Sequence, residues 1–116
     1  MDSKKIKIAI SAKENKIESE ISEVFGRCQY FVIAEIIDNK IEKTEIIENK
    51  TSDQIGGAGL AAAQFMAENN VNAIIAGNVG PRAEDVLRQF KIDIYISQGV
   101  IKDALNDFIS GKLRKL

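Results

Sequence analysis

The stretch Ala73-Ile74-Ile75-Ala76-Gly77-Asn78-Val79-Gly80-Pro81-Arg82 decides how this chain folds. Its first four residues form a short apolar run that fits a buried strand. Gly77 and Gly80 permit a sharp exit, and Pro81 suits the first turn of a helix, where its missing N–H costs nothing. Ala83, Val86, Leu87 and Phe90 then recur at helical spacing and define an amphipathic helix. A strand that breaks on glycines into a helix start gathers free backbone N–H groups and a positive dipole end at one point. Such a point suits an anion, and it equally suits an ordinary strand-to-helix connection. The neighbouring segments bear on the choice.

Downstream, Asp93 to Ser97 reads as another buried strand. Ile101, Ala104, Leu105 and Phe108 repeat the helical spacing, with Gly111 as a stop. Upstream, Leu60 to Asn69 is apolar nearly all round and predicts a well-buried helix. Lys5 to Ser11 alternates as a first strand, and Lys13 to Glu23 is charged and reads as a loop or a short irregular helix. Tyr30 to Ile37 is β-branched and aromatic, a second strand. Asp38-Asn39-Lys40 is a tight turn with Asn39 at positive φ, and the charges of Ile41 to Glu48 suit an exposed third strand at a sheet edge. The order β-β-β-α-β-α-β-α predicts one α/β domain over residues 1–116. Its mixed sheet has strands one, four and five parallel, strand two antiparallel and helices on both faces.

Composition narrows the chemistry. The chain of 116 residues has 45% hydrophobic and 28% charged residues and a formal net charge of -1. It therefore lacks bulk attraction for nucleic acid or an anionic membrane, and anion recognition has to be local. No apolar run approaches the ~20 residues of a membrane span, and Met1-Asp2-Ser3-Lys4-Lys5 lacks a signal-peptide core, so a cytoplasmic location is expected. One cysteine excludes an internal disulfide, and the absence of histidine excludes His-based nucleophile pairs and imidazole metal ligands.

The predicted topology brings three loops to one sheet edge: Gly26-Arg27-Cys28 before strand two, Gly56-Gly57-Ala58-Gly59 after strand three, and Gly77 to Arg82 after strand four. Ligand crevices in such sheets lie outside the carboxyl ends of the parallel strands. The candidate binding residues are thus Arg27, Cys28, Gly56, Gly57, Gly59, Gly77, Asn78, Gly80 and Arg82, with Cys28 as candidate metal ligand. Each has a plainer reading. The glycines provide flexibility or close packing, Cys28 is a small buried hydrophobe, and Arg82 pairs with Glu84 or Asp85. The G-G-x-G spacing is neither a dinucleotide fingerprint nor a Walker motif.

Phe25-Gly26-Arg27-Cys28 leading into Tyr30-Phe31, the cluster Gly56-Gly57-Ala58-Gly59, and Ala76-Gly77-Asn78-Val79-Gly80-Pro81 together resemble the nitrogenase accessory factor family, also called the dinitrogenase iron–molybdenum cofactor biosynthesis family. The resemblance implies a ribonuclease H-like three-layer architecture. It also implies non-catalytic binding or carriage of an anionic iron–molybdenum or iron–sulfur cofactor or its precursor, with cofactor-assembly proteins as partners. Relatives often carry a histidine where this chain has Gln54-Ile55, and another where it has Glu23-Val24. One thiolate cannot supply the ligands a cluster usually takes, so binding would need a dimer, an exogenous ligand or a cofactor that arrives nearly complete. Other expectations are a monomer or weak homodimer, and a protein-interaction or regulatory module that binds no cluster. A nuclease is disfavoured, because the first and fourth strands carry no carboxylate for two-metal chemistry.

Overall fold

A computed structural model describes residues 5–116; the Met1–Lys4 segment lies outside the described residues. Five strands and three helices follow one another as β1 (Lys5–Ala12), β2 (Tyr30–Ile37), β3 (Lys40–Glu48), α1 (Ala58–Glu68), β4 (Ala73–Ala76), α2 (Pro81–Gln89), β5 (Asp93–Ile96) and α3 (Ile101–Ile109). The sheet order is β3-β2-β1-β4-β5. β1 runs antiparallel to β2 and parallel to β4, and β4 runs parallel to β5.

Two local constraints produce this arrangement. Asp38 and Asn39 both take positive φ (51° and 67°), which makes the two-residue turn whose twist matches flanking antiparallel strands. The helical crossovers α1 and α2 return the chain to the same end of the sheet, which makes the following strands parallel.

Strand alternation divides the core in two. Ala9, Phe31, Ile33, Ile74 and Ile94 face α1 and α2, which contribute Ala62, Ala63, Met66, Ala83 and Leu87. Ile8, Ile10, Val32, Ala34 and Ile75 face Ile101, Ala104 and Leu105 of α3. The three-layer α/β fold expected from the order of elements is therefore the one formed. β4 is buried along its whole length because both of its faces are covered.

Several expectations need correction. α1 starts at Ala58, so Gly59 lies inside the helix. It is not buried all round: Phe65 is 39% exposed and lines a groove with Phe31 and Ile47 of the sheet. Phe90 is 54% exposed because α2 ends at Gln89 and Lys91 turns through φ 60°, leaving Ile92 to fill the core. β5 is an edge strand in which Ile94 alone is buried; Tyr95 packs edge-on against Phe108 at 5.1 Å. Of the two forms expected for residues 13–23, the loop is the one adopted. It folds around Ser19, whose Oγ accepts the Lys13 and Glu14 amides and donates to the Glu20 carbonyl. Bridges from Ile21 to Ala12 and from Glu20 to Val100 bind that loop to the sheet and to the start of α3.

Leu87 is fully buried between α2 and the sheet. Leu87→Ala should lower unfolding free energy by about 2–5 kcal/mol, read from urea midpoints, because it removes apolar contacts and leaves a cavity.

Candidate functional site

The carboxyl ends of β1, β4 and β5 lie at one edge of the sheet, where β2 begins and β3 ends. The loops predicted to meet there do meet, and glycines are the points of contact. A Cβ on Gly77 would stand 2.8 Å from the Glu23 Cα, and one on Gly26 would stand 2.6 Å from the Gly59 Cα. Gly26 also sits at φ 96°, a conformation that L side chains rarely adopt. Gly59 in turn brings α1 against α2, where a Cβ would be 3.3 Å from that of Ala83.

Backbone hydrogen bonds fix the crossing. The Gly77 amide donates to the Ser22 carbonyl at 3.1 Å, and the Phe25 amide donates to the Asn78 carbonyl at 2.9 Å. The 22–26 segment therefore lies across the strand-to-helix turn. It occupies the Gly77 amide that the sequence offered to a ligand, and it divides the expected cradle into two parts. On one side exposed Asn78 lines a cleft of ≈ 400 Å³ with Glu23, Gly99 and the Lys13–Glu20 ion pair. On the other side are the starts of α1 and α2.

Those two helix starts lack side-chain caps, although Ala58 and Ala83 beside them are buried and Gly26 packs over the Gly59 amide. Gly57 caps α1 in the left-handed conformation and Gly80 caps α2 in the extended one, and neither helix has a side-chain cap. Ala61 and Glu84 are the first residues whose amides reach the capping carbonyls. The amides of Ala58, Gly59, Leu60, Arg82 and Ala83 therefore have no acceptor within their own helices. Arg82 is exposed, and among the described residues no carboxylate pairs with it. The expected Glu84 partner binds Arg88 instead, at 2.9 Å.

Arg27 and Cys28 belong to the frame of the site. Arg27 Nη1 donates to the carbonyls of Ser52 (3.2 Å) and Gln54 (2.5 Å) and so holds the loop that leads to Gly56 and Gly57. Cys28 is 2% exposed and packs with Phe25, Phe31 and the helices. Burial pushes its thiol up from the ordinary value, partly offset by the Ser11 hydroxyl and by Gly26 and Asn49. A buried thiol held protonated is a poor metal ligand in this conformation. The reading of Cys28 as a small hydrophobe fits its surroundings. Among the described residues the buried Ser11 Oγ has no hydrogen-bond partner of good geometry.

Asn49 is the structural residue that sequence reasoning missed. Its buried Nδ2 donates to the carbonyls of Gly26 (3.0 Å) and Cys28 (2.8 Å), while Oδ1 accepts from Thr51. An asparagine directly after a strand was a weak signal, since such residues are common in turns. A groove of ≈ 420 Å³ between Phe31, Ile47, Ala62 and Phe65 was also unforeseen. Among the described residues no three His, Cys, Asp or Glu side chains gather as a metal site, and no helix is long and apolar enough to cross a membrane.

The family model described as dinitrogenase iron-molybdenum cofactor matches residues 4–111. The chain belongs to this family. Among its relatives, the uncharacterised protein MJ0580 of Methanocaldococcus jannaschii is 39% identical over 113 residues, covering 97% of this chain and 92% of its own length. MJ0327 of the same organism is 34% identical, covering 96% of this chain and 94% of its own. The apo orange protein of Desulfovibrio gigas has the same fold, with a TM-score of 0.84, 25% identity and coverage of 95% and 92% of the two chains. In this family member the glycine-rich edge is built largely from backbone, with exposed Arg82 at the start of α2 unpaired among the described residues.

Gly77→Ala should destabilise the fold by about 1–3 kcal/mol, since a methyl group would strike the Glu23 backbone. Gly80→Ala, with open space around it, should cost less than about 1 kcal/mol; paired thermal melts distinguish the two. Cys28 predicts a pH effect. Its folded pKa is raised, so the unfolded chain loses the thiol proton first and stability falls as pH climbs above about 9. Urea midpoints measured between pH 8 and pH 10 should show this slope, and Cys28→Ala should flatten it.

Proposed function

We propose that this protein is a non-catalytic carrier for an anionic metallocluster of the iron–molybdenum or iron–sulfur type, or for its precursor. The cargo sits at the paired starts of α1 and α2. One observation carries the reading: Gly59 and Ala83 place two helix N-termini without side-chain caps side by side, and exposed Arg82 in the first turn of α2 has no ion-pair partner among the described residues. Backbone amides and dipole ends attract negative charge, and a guanidinium adds a directional charged donor. The family's description as dinitrogenase iron-molybdenum cofactor supports the choice of anion.

The donor set decides the manner of binding. This edge offers amides and a guanidinium and no group of soft ligands, so it suits a cluster whose metal ions are already ligated and whose outer atoms accept hydrogen bonds. Gly80 and the Gly56–Gly57 loop let the cargo approach the backbone closely, because Cβ positions at Gly56 and Gly80 meet nothing. Net charge near zero keeps the attraction local. Cargo held on the surface in this way can pass to cofactor-assembly proteins in the cytoplasm.

A second reading rests on Ile55, which is fully exposed at the tip of the loop before Gly56. An aliphatic side chain so placed suits contact with a protein partner. It marks the same loop as the surface where such a partner would collect the cargo.

Anaerobic titration with isolated iron–molybdenum cofactor, followed by absorbance and by gel filtration of the complex, tests the proposal. Arg82→Glu should weaken binding by roughly tenfold or more, as expected for loss of a charge-assisted hydrogen bond. Cys28→Ala should bind like the parent, and loss of binding in that variant would return the thiol to the ligand set. An unchanged affinity in Arg82→Glu would sink the proposed site.

A further inference from the structure

The two edges of the sheet are treated differently. At β5 the C-terminal residues lie alongside the strand: the Leu116 amide donates to the Ile94 carbonyl at 2.7 Å, and Tyr95 bridges to Lys115. Lys115 also approaches Asp93 at 3.7 Å. Among the described residues nothing pairs with the outer side of β3, which is exposed from Lys40 to Glu45 and again at Glu48.

The hydrogen-bond phase of that edge is defined. The Asn49 amide bonds to the Gln29 carbonyl at 2.9 Å, so the directly bonded positions of the β2–β3 ladder are those at alternate residues from 49 downward. Thr44 and Ile46 fall at the intervening positions, opposite Ala34 and Val32. Their amides and carbonyls therefore point off the open edge, available to another strand.

In the hydrogen-bond phase just described, the sequence of β3, Lys40-Ile41-Glu42-Lys43-Thr44-Glu45-Ile46-Ile47-Glu48, has an antiparallel self-pairing centred on Thr44 that opposes unlike charges. With the two-fold axis at Thr44, Thr44 meets its own copy and Lys43 faces the partner's Glu45. Moving the axis by one residue sets Lys43 against the partner's Lys43, or Glu45 against the partner's Glu45. Directly opposed unlike charges stabilise a sheet and like charges destabilise it. The shift between Glu35 and Ile36 leaves Glu42 out of the β2 ladder, so the regular part of β3 runs from Lys43 to Glu48 and contains the Lys43-Thr44-Glu45 centre.

We infer that β3 is a homodimer interface, in which two copies of this chain join through antiparallel edge pairing centred on Thr44 to form one ten-stranded sheet. The occupant is a second copy because the charge pattern is complementary to itself in this register. A contact made by one strand per subunit lies at the small end of specific interfaces, so the dimer is weak and concentration-dependent. This interface is independent of the helix starts where cargo is proposed to bind.

Sedimentation equilibrium across a concentration series tests the interface. The parent should shift from monomer toward dimer below about 1 mM, near the weak limit of specific association. Lys43→Glu and Glu45→Lys should each raise the dimer dissociation constant roughly tenfold or more by converting symmetric attractions into repulsions. Mixed together, the two variants should form a heterodimer, because Glu at position 43 then faces Lys at position 45 across the axis. Circular dichroism of each variant establishes that it is folded. A parent that stays monomeric throughout the series, variants that dimerise as well as the parent, or a mixture that gains no dimer would each overturn the assignment.

Discussion

The close crossing of the 22–26 segment over the turn after β4 is the constraint on which the carboxyl edge depends. It needs backbone at contact distance in three places: Gly77 under Glu23, Gly26 against Gly59, and Gly59 against Ala83. Side chains at these points would push apart the segment, α1 and α2 in turn. Protein interiors are packed too densely for such displacements to stay local. The Gly77–Ser22 and Phe25–Asn78 hydrogen bonds then satisfy amides that the crossing shields from water. The alignment of two helix starts is thus a consequence of how the loops pack.

Around this crossing, polar side chains act on backbone more than on one another. Asn49 ties the end of β3 to the chain entering β2, and Arg27 ties the same entry to the loop before α1. The two residues hold opposite ends of the 49–56 loop, which leaves its glycine-rich tip the freest part of the edge. Gly56 and Gly57 both sit at φ 71° there, outside the region that side chains favour. Anchored ends and a permissive tip suit a surface that must approach a large anion closely while its base keeps one geometry.

Much of this was legible in the sequence, because periodic signals are local. The two-residue turn at Asp38-Asn39, the apolar run of β4 and the spacing of Ile101, Ala104, Leu105 and Phe108 each specify an element without reference to the rest of the chain. Connection rules then arrange the elements, and convergence of the three glycine loops follows. The roles of individual glycines were not legible. Gly77 and Gly80 look alike in sequence, yet one is closed by Glu23 and the other opens on free space. That difference comes from the non-repeating path of residues 13–29, which no periodicity reports. Cys28 was ambiguous for the same reason: it reads as a metal ligand or as a small buried hydrophobe, and the turn through Gly26 with the hydrogen bonds of Asn49 accompanies its inward placement.

The edges of the sheet extend this reasoning to association. Parallel strands β1 and β4 are buried and closed to partners, so recognition between chains falls to β3 and β5. Residues at the C-terminus cover β5 and satisfy part of its ladder. β3 is instead guarded by charge, the usual device against indiscriminate edge pairing. Charge guards by sign, however, and a strand whose signs are antisymmetric about its centre repels most partners while admitting its own copy. Lys43 and Glu45 stand on either side of Thr44 in that relation. The pattern that keeps this edge from aggregating therefore also selects one register for it, in the way that specificity in pairing generally comes from penalising the alternatives.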